Sequence, residues 1–177
     1  MYTIVALSRA ERFSPNSVDK DAAILGCVCN ELIHCGCDVE IREEANLDVS
    51  ANVSLVLSMG RLPHTLHALT NMENSGIKVV NTPSSVALCC NRRQLNNVLK
   101  AASIPLAPEK GEHGYWLKRA DGVAESSGDV QYAADEAETQ AKEKQMREAG
   151  VGDVLVCAHV PGDLIKFYGV RDTDFFR

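Results

Sequence analysis

The sequence VLVCAHVPGDLIKFYGV, residues 154–170, decides how the C-terminal half of the chain is expected to fold. It contains two apolar stretches, 154–160 and 164–170, separated by the turn signal Pro-Gly-Asp at 161–163. Each stretch has the length and the β-branched content of a strand, and proline followed by glycine favours a tight turn. We therefore predict two strands joined by a short turn.

The residues just upstream extend this pattern. Strand patterns cover 115–119 and 130–133, and a helical pattern then runs from a cap at Asp135 to Gly150. The C-terminal half therefore has the predicted order β-β-α-β-β. The proline-rich stretch 104–108 breaks the preceding helical pattern, so we place a domain boundary there and predict a second unit over 106–177.

The N-terminal part predicts a different architecture. Short apolar runs alternate with helical periodicities in the order β-α-β-β-α-β over residues 1–80. This order is typical of an α/β unit with a largely parallel sheet. Two further helices are predicted, one starting at Thr82-Pro83 and one over 91–102, so the first domain covers 1–105.

Composition restricts the function classes. The 177 residues are 45% hydrophobic and carry a formal net charge of −6, which is ordinary for a soluble globular protein and unlike the basic field of a nucleic-acid binder. No apolar run is long enough to cross a membrane. The seven cysteines are an odd number and several lie in apolar runs, which indicates reduced thiols in the cytoplasm.

Several common chemical signatures are missing from the sequence. The first strand is not followed by GxGxxG, and neither GxxxxGK[ST], HExxH nor GxSxG occurs. The CxC pairs at 27–29 and 35–37 have a spacing that disfavours zinc on a helix. His64 and His67 are three residues apart on a predicted helix, but no third metal ligand is evident, so two exposed histidines are the simpler interpretation.

Three segments in order resemble the ATP-grasp superfamily. They are VVNTPSSV at 79–86 with the NRRQL and SIPLAP stretches that follow it, YWLKR at 115–119, and the segment 154–170. The resemblance implies a small Rossmann-like parallel-sheet pre-ATP-grasp domain, followed by an incomplete α+β lobe with an antiparallel sheet. It also implies that ATP binds between antiparallel sheets.

Lys118 is the most informative single residue. It lies on an apolar strand beside Trp116 and Leu117, where a lone buried ammonium would be costly and a phosphate is a natural partner. The resemblance implies that Lys118 reaches the α- and β-phosphates of ATP. The alternatives are a salt bridge to a neighbouring carboxylate, or an edge-strand lysine that extends to solvent.

The resemblance also assigns roles at the second predicted strand pair. Backbone groups of Ala158, His159 and Val160 would contact the adenine edge. Asp163 would accept hydrogen bonds from the ribose hydroxyls, with a plain turn residue as the alternative. Lys166 would face the same cleft as Lys118.

Two other positions have weaker roles by resemblance. Arg93 would contact phosphate in place of the usual lysine, with a solvated helix-terminal arginine as the alternative. The segment 121–128 would form a flap over the phosphates.

Ser8, Arg9 and Arg12 follow the first strand at its carboxyl end, where α/β sheets place ligands. They could line an acceptor site or form a solvated loop.

By resemblance, the region that supplies the Mg²⁺ ligands and the catalytic residues is expected outside this chain, so no catalytic residue is assigned here. We expect a truncated ligase that activates a carboxylate as an acyl-phosphate for attack by an amine or thiol, inactive as this fragment alone. The alternatives are a small-molecule kinase, a non-catalytic nucleotide-binding or oligomerisation module, or one part of a split enzyme. The expected partner is a small-molecule substrate, and exposed strand edges favour a homodimer.

Overall fold

The computed structural model describes residues 2–14, 16–47, 52–170 and 172–177. The first part of the chain forms alternating strands and helices. They are β1 (Thr3–Ser8), α1 (Val18–His34), β2 (Asp38–Glu43), β3 (Leu55–Ser58), α2 (Pro63–Asn74), β4 (Lys78–Val80), α3 (Pro83–Cys90) and α4 (Arg92–Ala101). The predicted order β-α-β-β-α-β is confirmed.

The four strands of this part form a parallel sheet in the order β2-β1-β3-β4. The central strand β1 is buried along most of its length, as expected for a parallel strand covered on both faces. Its side chains pack with residues from β3, α2 and β4. The core on this side consists of Val5, Leu7, Val53, Val56, Leu69 and Val79.

Local signals in the sequence set the helix boundaries. The Thr82 hydroxyl accepts a hydrogen bond from the Ser85 backbone N–H at 3.3 Å, and Pro83 occupies the first turn of α3. Asn91 caps α4 in the same way through the Gln94 N–H, at 2.9 Å. These caps confirm the predicted starts of both helices.

The second part of the chain forms a smaller layer. Its elements are β5 (Tyr115–Arg119), β6 (Val130–Ala133), α5 (Glu136–Glu148) and β7 (Val154–Ala158). The strands form an antiparallel sheet in the order β6-β5-β7, so β5 is central. One face of this sheet packs on α5 through Leu117, Ala133, Met146, Val151 and Val154. The predicted antiparallel lobe is confirmed.

The predicted strand over 164–170 is wrong. This segment has no regular structure apart from one isolated bridge between Gly169 and Phe176, and Leu164 is 84% exposed. In the described part of the chain, Thr173, Phe175 and Arg177 hydrogen-bond back to it. A strand there would have to offset about 1–2 kcal/mol of backbone entropy per residue with little burial. The apolar composition predicted a strand, but the side chains stay exposed, even where Phe176 stacks on Phe167 with 5.7 Å between ring centroids.

Two consecutive arginines of α4 connect the two sheets. The Arg92 guanidinium donates to the Arg119 carbonyl oxygen at 2.6 Å. Arg93 forms a two-pronged ion pair with Asp153, with N–O distances of 2.9 and 2.7 Å. The helix that follows the parallel sheet is thereby attached to both β5 and the start of β7.

Candidate functional site

Lys118 lies on the face of β5 opposite α5. Leu117, its neighbour, is fully buried in the core against α5, and the alternation of a strand directs Trp116 and Lys118 to the other face. Lys118 is half-buried and makes no hydrogen bond or ion pair with any residue that the structure describes. The salt bridge considered from the sequence is therefore not formed with any of these residues. A partly desolvated ammonium without an anion favours an incoming anionic group.

An aromatic cluster lies beside Lys118 on the same face. The ring of Trp116 contacts Tyr132 edge to face with 5.4 Å between centroids, and Tyr132 contacts the His159 ring in the same way at 5.8 Å. The Trp116 indole N–H donates to His159 Nδ1 at 3.0 Å. This bond requires that Nδ1 carries no proton.

Trp116 and Tyr132 were not singled out from the sequence. Trp116 is two residues from Lys118, so the alternation of a strand predicts that both side chains lie on the same face. Tyr132 could be identified only from the strand register, which pairs it with Trp116 across β5 and β6.

The predicted adenine-contacting stretch follows β7 directly. The N–H groups of Ala158 and His159 are used within the fold, donating to the carbonyl oxygens of Pro108 and Gly114 at 2.8 Å each. By contrast, the His159 carbonyl and the Val160 N–H have no hydrogen-bond partner among the described residues. These two groups belong to one trans peptide and point in opposite directions, so only one of them can face a given ligand edge. The His159 carbonyl is an acceptor that suits an amino group, such as the 6-amino group of adenine.

Asp163 and Lys166 lie in the exposed segment after β7. Neither side chain makes a hydrogen bond or ion pair within the described ranges, and both are exposed. The prediction that Lys166 lies on a strand is wrong, because 164–170 is not a strand, and its place in the cleft of Lys118 stays a prediction. Their contacts with ribose and phosphate remain predictions.

Arg93 has a different environment from the one predicted. Besides its two bonds to Asp153, it donates to the Val154 carbonyl oxygen at 2.9 Å. Hydrogen bonding to the Asp153 carboxylate raises the pKa of Arg93 and lowers the pKa of Asp153. Arg93 therefore connects α4 to β7, and its predicted phosphate contact remains a prediction.

The predicted flap, 121–128, is held by two carboxylates. Asp121 accepts from the Gly152 N–H at 2.8 Å and pairs with Arg119. Asp129 accepts from the N–H groups of Glu125 and Ser126 at 2.8 and 3.0 Å. Burial opposes ionisation of Asp129, but these hydrogen bonds and the nearby Arg119 charge outweigh it and lower its pKa.

A cavity of about 600 Å³ lies at the carboxyl edge of the parallel sheet. One wall is apolar and includes Ile24, Leu25 and Val28 from α1. The rim is cationic and includes Arg9, Arg61 and Arg92, while Gly122 and Val123 of the flap close one side. Arg9 was singled out from the sequence as a ligand candidate. Arg12 lies outside the cavity lining and stacks on Phe13 at 4.8 Å.

Glu44 organises the loops at this cavity. Its side chain is only 1% exposed and accepts from the N–H groups of Ala10, Arg61 and Leu62 at 2.6 to 2.7 Å. The loops after β1 and β3 are thereby joined to one carboxylate. Gly60 leaves room for it, because a Cβ there would lie 2.9 Å from Glu44 Oε2. No pattern in the sequence indicates a role for Glu44, since a single acid after an edge strand usually faces solvent.

The described residues do not form a metal site. No three His, Cys, Asp or Glu side chains cluster within them, so the donor set for Mg²⁺ does not fit this part of the molecule. All seven cysteines are free thiols. No helix in the described ranges is long and apolar enough to cross a membrane.

Comparison with family models and with curated proteins finds no match. Solved structures do match. A RimK domain ATP-grasp protein from Sphaerobacter thermophilus superposes with a TM-score of 0.60 and 17% identity, covering 90% of this chain and 65% of that one. D-alanyl-alanine synthetase A from Vibrio cholerae gives 0.64 and 14% identity, covering 99% of this chain and 65% of the other.

A third match is an ADP complex of N5-carboxyaminoimidazole ribonucleotide synthetase, with a TM-score of 0.55 and 11% identity, covering 90% of this chain and 47% of that chain. The chain thus spans at most about two thirds of the length of these three structures. At such low identity the likeness concerns the fold. Over the length it shares with them, the chain has the ATP-grasp fold.

Proposed function

We propose that this chain is the ATP-binding part of an ATP-grasp ligase. The nucleotide lies on the face of the antiparallel sheet that carries Lys118, with its adenine at the end of β7. The observation that carries this proposal is the combination of a half-buried Lys118, which has no anionic partner among the described residues, with a free carbonyl at His159 just after β7. Solved structures with the same fold include synthetases, and one of them holds ADP.

Each residue has a defined task in this proposal. The Lys118 ammonium binds phosphate oxygens, which supply the anionic partner that Lys118 lacks among the described residues. The His159 carbonyl accepts from the adenine 6-amino group. Trp116 fixes the His159 ring through its indole N–H.

The reaction class belongs to the same proposal. ATP would activate a carboxylate as an acyl-phosphate, which an amine or thiol would then attack. This chain's residues bind and orient the nucleotide, and no described residue is assigned a proton-transfer step. The described residues lack a cluster of Mg²⁺ donors, so no step of the reaction is assigned to a metal in this part of the molecule.

Calorimetric titration with ATP tests the Lys118 contact. Lys118→Ala is expected to weaken binding about tenfold or more, because a charge-assisted phosphate contact is lost. Lys20→Ala is the matched control, since Lys20 is an exposed lysine on α1. Equal affinity in the two variants would refute the assignment of Lys118.

Inosine triphosphate tests the adenine edge separately. Its 6-oxo group and protonated N1 reverse the donor and acceptor pattern while the triphosphate stays the same. We expect inosine triphosphate to bind about tenfold or more weakly than ATP. Equal affinity for the two nucleotides would contradict the contact at the His159 carbonyl.

A further inference from the structure

One hydrogen bond and two ring contacts hold the imidazole of His159. The Trp116 indole N–H donates to His159 Nδ1 at 3.0 Å, and these two rings meet edge to face with 6.1 Å between centroids. Tyr132 contacts both rings in the same way, and its hydroxyl donates to the His113 carbonyl oxygen at 2.9 Å. His159 Nε2 has no hydrogen-bond partner among the described residues. Nδ1 is therefore the ring atom through which the protein holds this imidazole.

The hydrogen bond exists only while His159 Nδ1 carries no proton. An indole N–H can only donate, and a protonated imidazole donates from both ring nitrogens. Protonation would place two N–H groups against each other at 3.0 Å, so the ring would have to leave Trp116. Histidine is the side chain whose charge ordinarily changes between pH 5 and 8. The contact between the two rings is therefore sensitive to pH near neutrality.

Other titratable groups lie around His159 on the strands of the sheet. They are Lys118 of β5, Tyr132 of β6 and Cys157 of β7. Lysine, tyrosine and cysteine side chains ordinarily titrate above pH 8, so a change between pH 5 and 8 is not expected from them.

The loop before β5 and the segment after β7 add exposed groups. The loop contacts the end of β7, since the Gly114 carbonyl accepts from the His159 N–H at 2.8 Å. The exposed ionisable residues of 109–114 and 160–166 are Glu109, Lys110, Glu112, His113, Asp163 and Lys166. His113 is the one histidine among them, so it is the group that an experiment has to separate from His159.

The position of the ring bears on the carbonyl of the same residue. The His159 N–H is fixed by Gly114, but the His159 carbonyl oxygen has no partner among the described residues. The next residue, Val160, is 60% exposed. The ring contacts with Trp116 and Tyr132 therefore hold His159 at the point where the chain leaves the sheet, and they hold the carbonyl with it.

We propose that His159 is a positioning residue whose hold on the sheet is released by a proton. Neutral His159 accepts from Trp116 and keeps its carbonyl in place for the amino group of a nucleotide base. Half-buried His159 takes up a proton from solvent, leaves Trp116, and nucleotide binding weakens. The link to the nucleotide rests on the proposed function, because it takes the His159 carbonyl as the contact with adenine. The release from Trp116 concerns the protein alone.

The indole N–H resonance of Trp116 tests the release without nucleotide. The sequence contains one tryptophan, so proton–nitrogen correlation spectra of the unmodified chain contain one indole signal. This signal should move upfield in one step as the pH falls from 8 to 5, because the hydrogen bond that deshields the proton is lost. A signal that stays in place over this interval would overturn the proposal.

Two matched variants assign the step to one histidine. Glutamine offers an acceptor oxygen but does not titrate, so the indole signal of His159→Gln should stay in one place from pH 8 to pH 5. His113→Gln removes the neighbouring imidazole and should leave the step unchanged. A step that persists in His159→Gln, or that disappears in His113→Gln, would overturn the assignment.

Calorimetric titration with ATP at pH 8 and pH 5 tests the link to the nucleotide. The phosphates of ATP also titrate, so the affinity of the unmodified chain is divided by that of His159→Gln at each pH. This ratio should fall about fivefold or more from pH 8 to pH 5. By reciprocity, saturating ATP should move the indole step of the unmodified chain to lower pH. A constant ratio would overturn the link.

The outcomes separate this inference from the proposed function. If the indole step occurs but ATP does not bind at pH 8, the proposed function fails and the proton-sensitive contact stands. If ATP binds but the indole signal does not move, the contact fails and nucleotide binding stands.

Discussion

The two ends of this chain contain similar amounts of apolar sequence and use it differently. Around β1 the apolar residues are covered by strands and helices on both sides, and the loops beyond them converge on Glu44. After β7 the apolar residues of 164–176 lie exposed, with Leu164 at 84% and Phe176 at 69%. Apolar sequence therefore specifies a strand only where another element covers it.

Matched leucine truncations test this contrast with the largest expected effect. Leu69→Ala removes a fully buried side chain from the core and should lower the free energy of unfolding by about 2–5 kcal/mol. Leu164→Ala should change it by less than about 0.5 kcal/mol. Urea denaturation measures both. A large loss from Leu164→Ala would show that the C-terminal segment packs in solution.

The next effect concerns the loops joined to Glu44. Glu44→Gln replaces one acceptor oxygen with an amide that faces backbone N–H donors, and should cost about 1–3 kcal/mol of unfolding free energy. Glu43→Gln is the control, because Glu43 is exposed. Unchanged stability in Glu44→Gln would contradict the anchoring role.

A smaller effect is expected from pH at the flap. The folded state lowers the pKa of Asp129 below its ordinary value of 3.8, so its ionised form stabilises the fold. The stabilisation from ionised Asp129 is fully present above pH 3.8, the pKa in the unfolded chain. It is lost as the pH falls through the lower pKa that Asp129 has in the folded state. Asp129→Asn should therefore flatten the acid side of the stability profile. An unchanged slope below pH 4 would contradict this account.

The smallest effect is expected at the connection between the two sheets. Arg93 and Asp153 form a two-pronged pair, but both side chains are more than a third exposed, at 45% and 36%. Solvent screening limits such a pair to about 0.2–1 kcal/mol. A double-mutant cycle with Arg93→Ala and Asp153→Ala, repeated in high salt, measures the coupling. A coupling energy above about 2 kcal/mol that is insensitive to salt would contradict the screening argument.

The sequence was sufficient for elements whose signals are local. Thr82 and Asp135 each cap a helix with their own side chain, as their positions in the sequence predicted. Lys118 was also identifiable, because a lysine within an apolar strand is unusual. These features depend on a few neighbouring residues and not on distant parts of the chain.

The remaining features depend on contacts that the sequence does not reveal. Glu44 becomes buried only because three loop N–H groups converge on it, and Tyr132 meets Trp116 only through the strand register. The phosphate role of Arg93 was predicted by resemblance, and its ion pair with Asp153 was not predicted because that residue is sixty positions away in the sequence. The strand predicted over 164–170 was wrong because the sequence does not reveal whether another element covers the apolar side chains of this segment.

The most direct test of the account is the fluorescence of Trp116, the one tryptophan in the sequence, which lies on the same face as Lys118. The account predicts that ATP changes its emission in a saturable way. The change should be weakened in Lys118→Ala and retained in Lys20→Ala. Emission that stays constant at millimolar ATP, or that changes equally in both variants, would contradict nucleotide binding on this face.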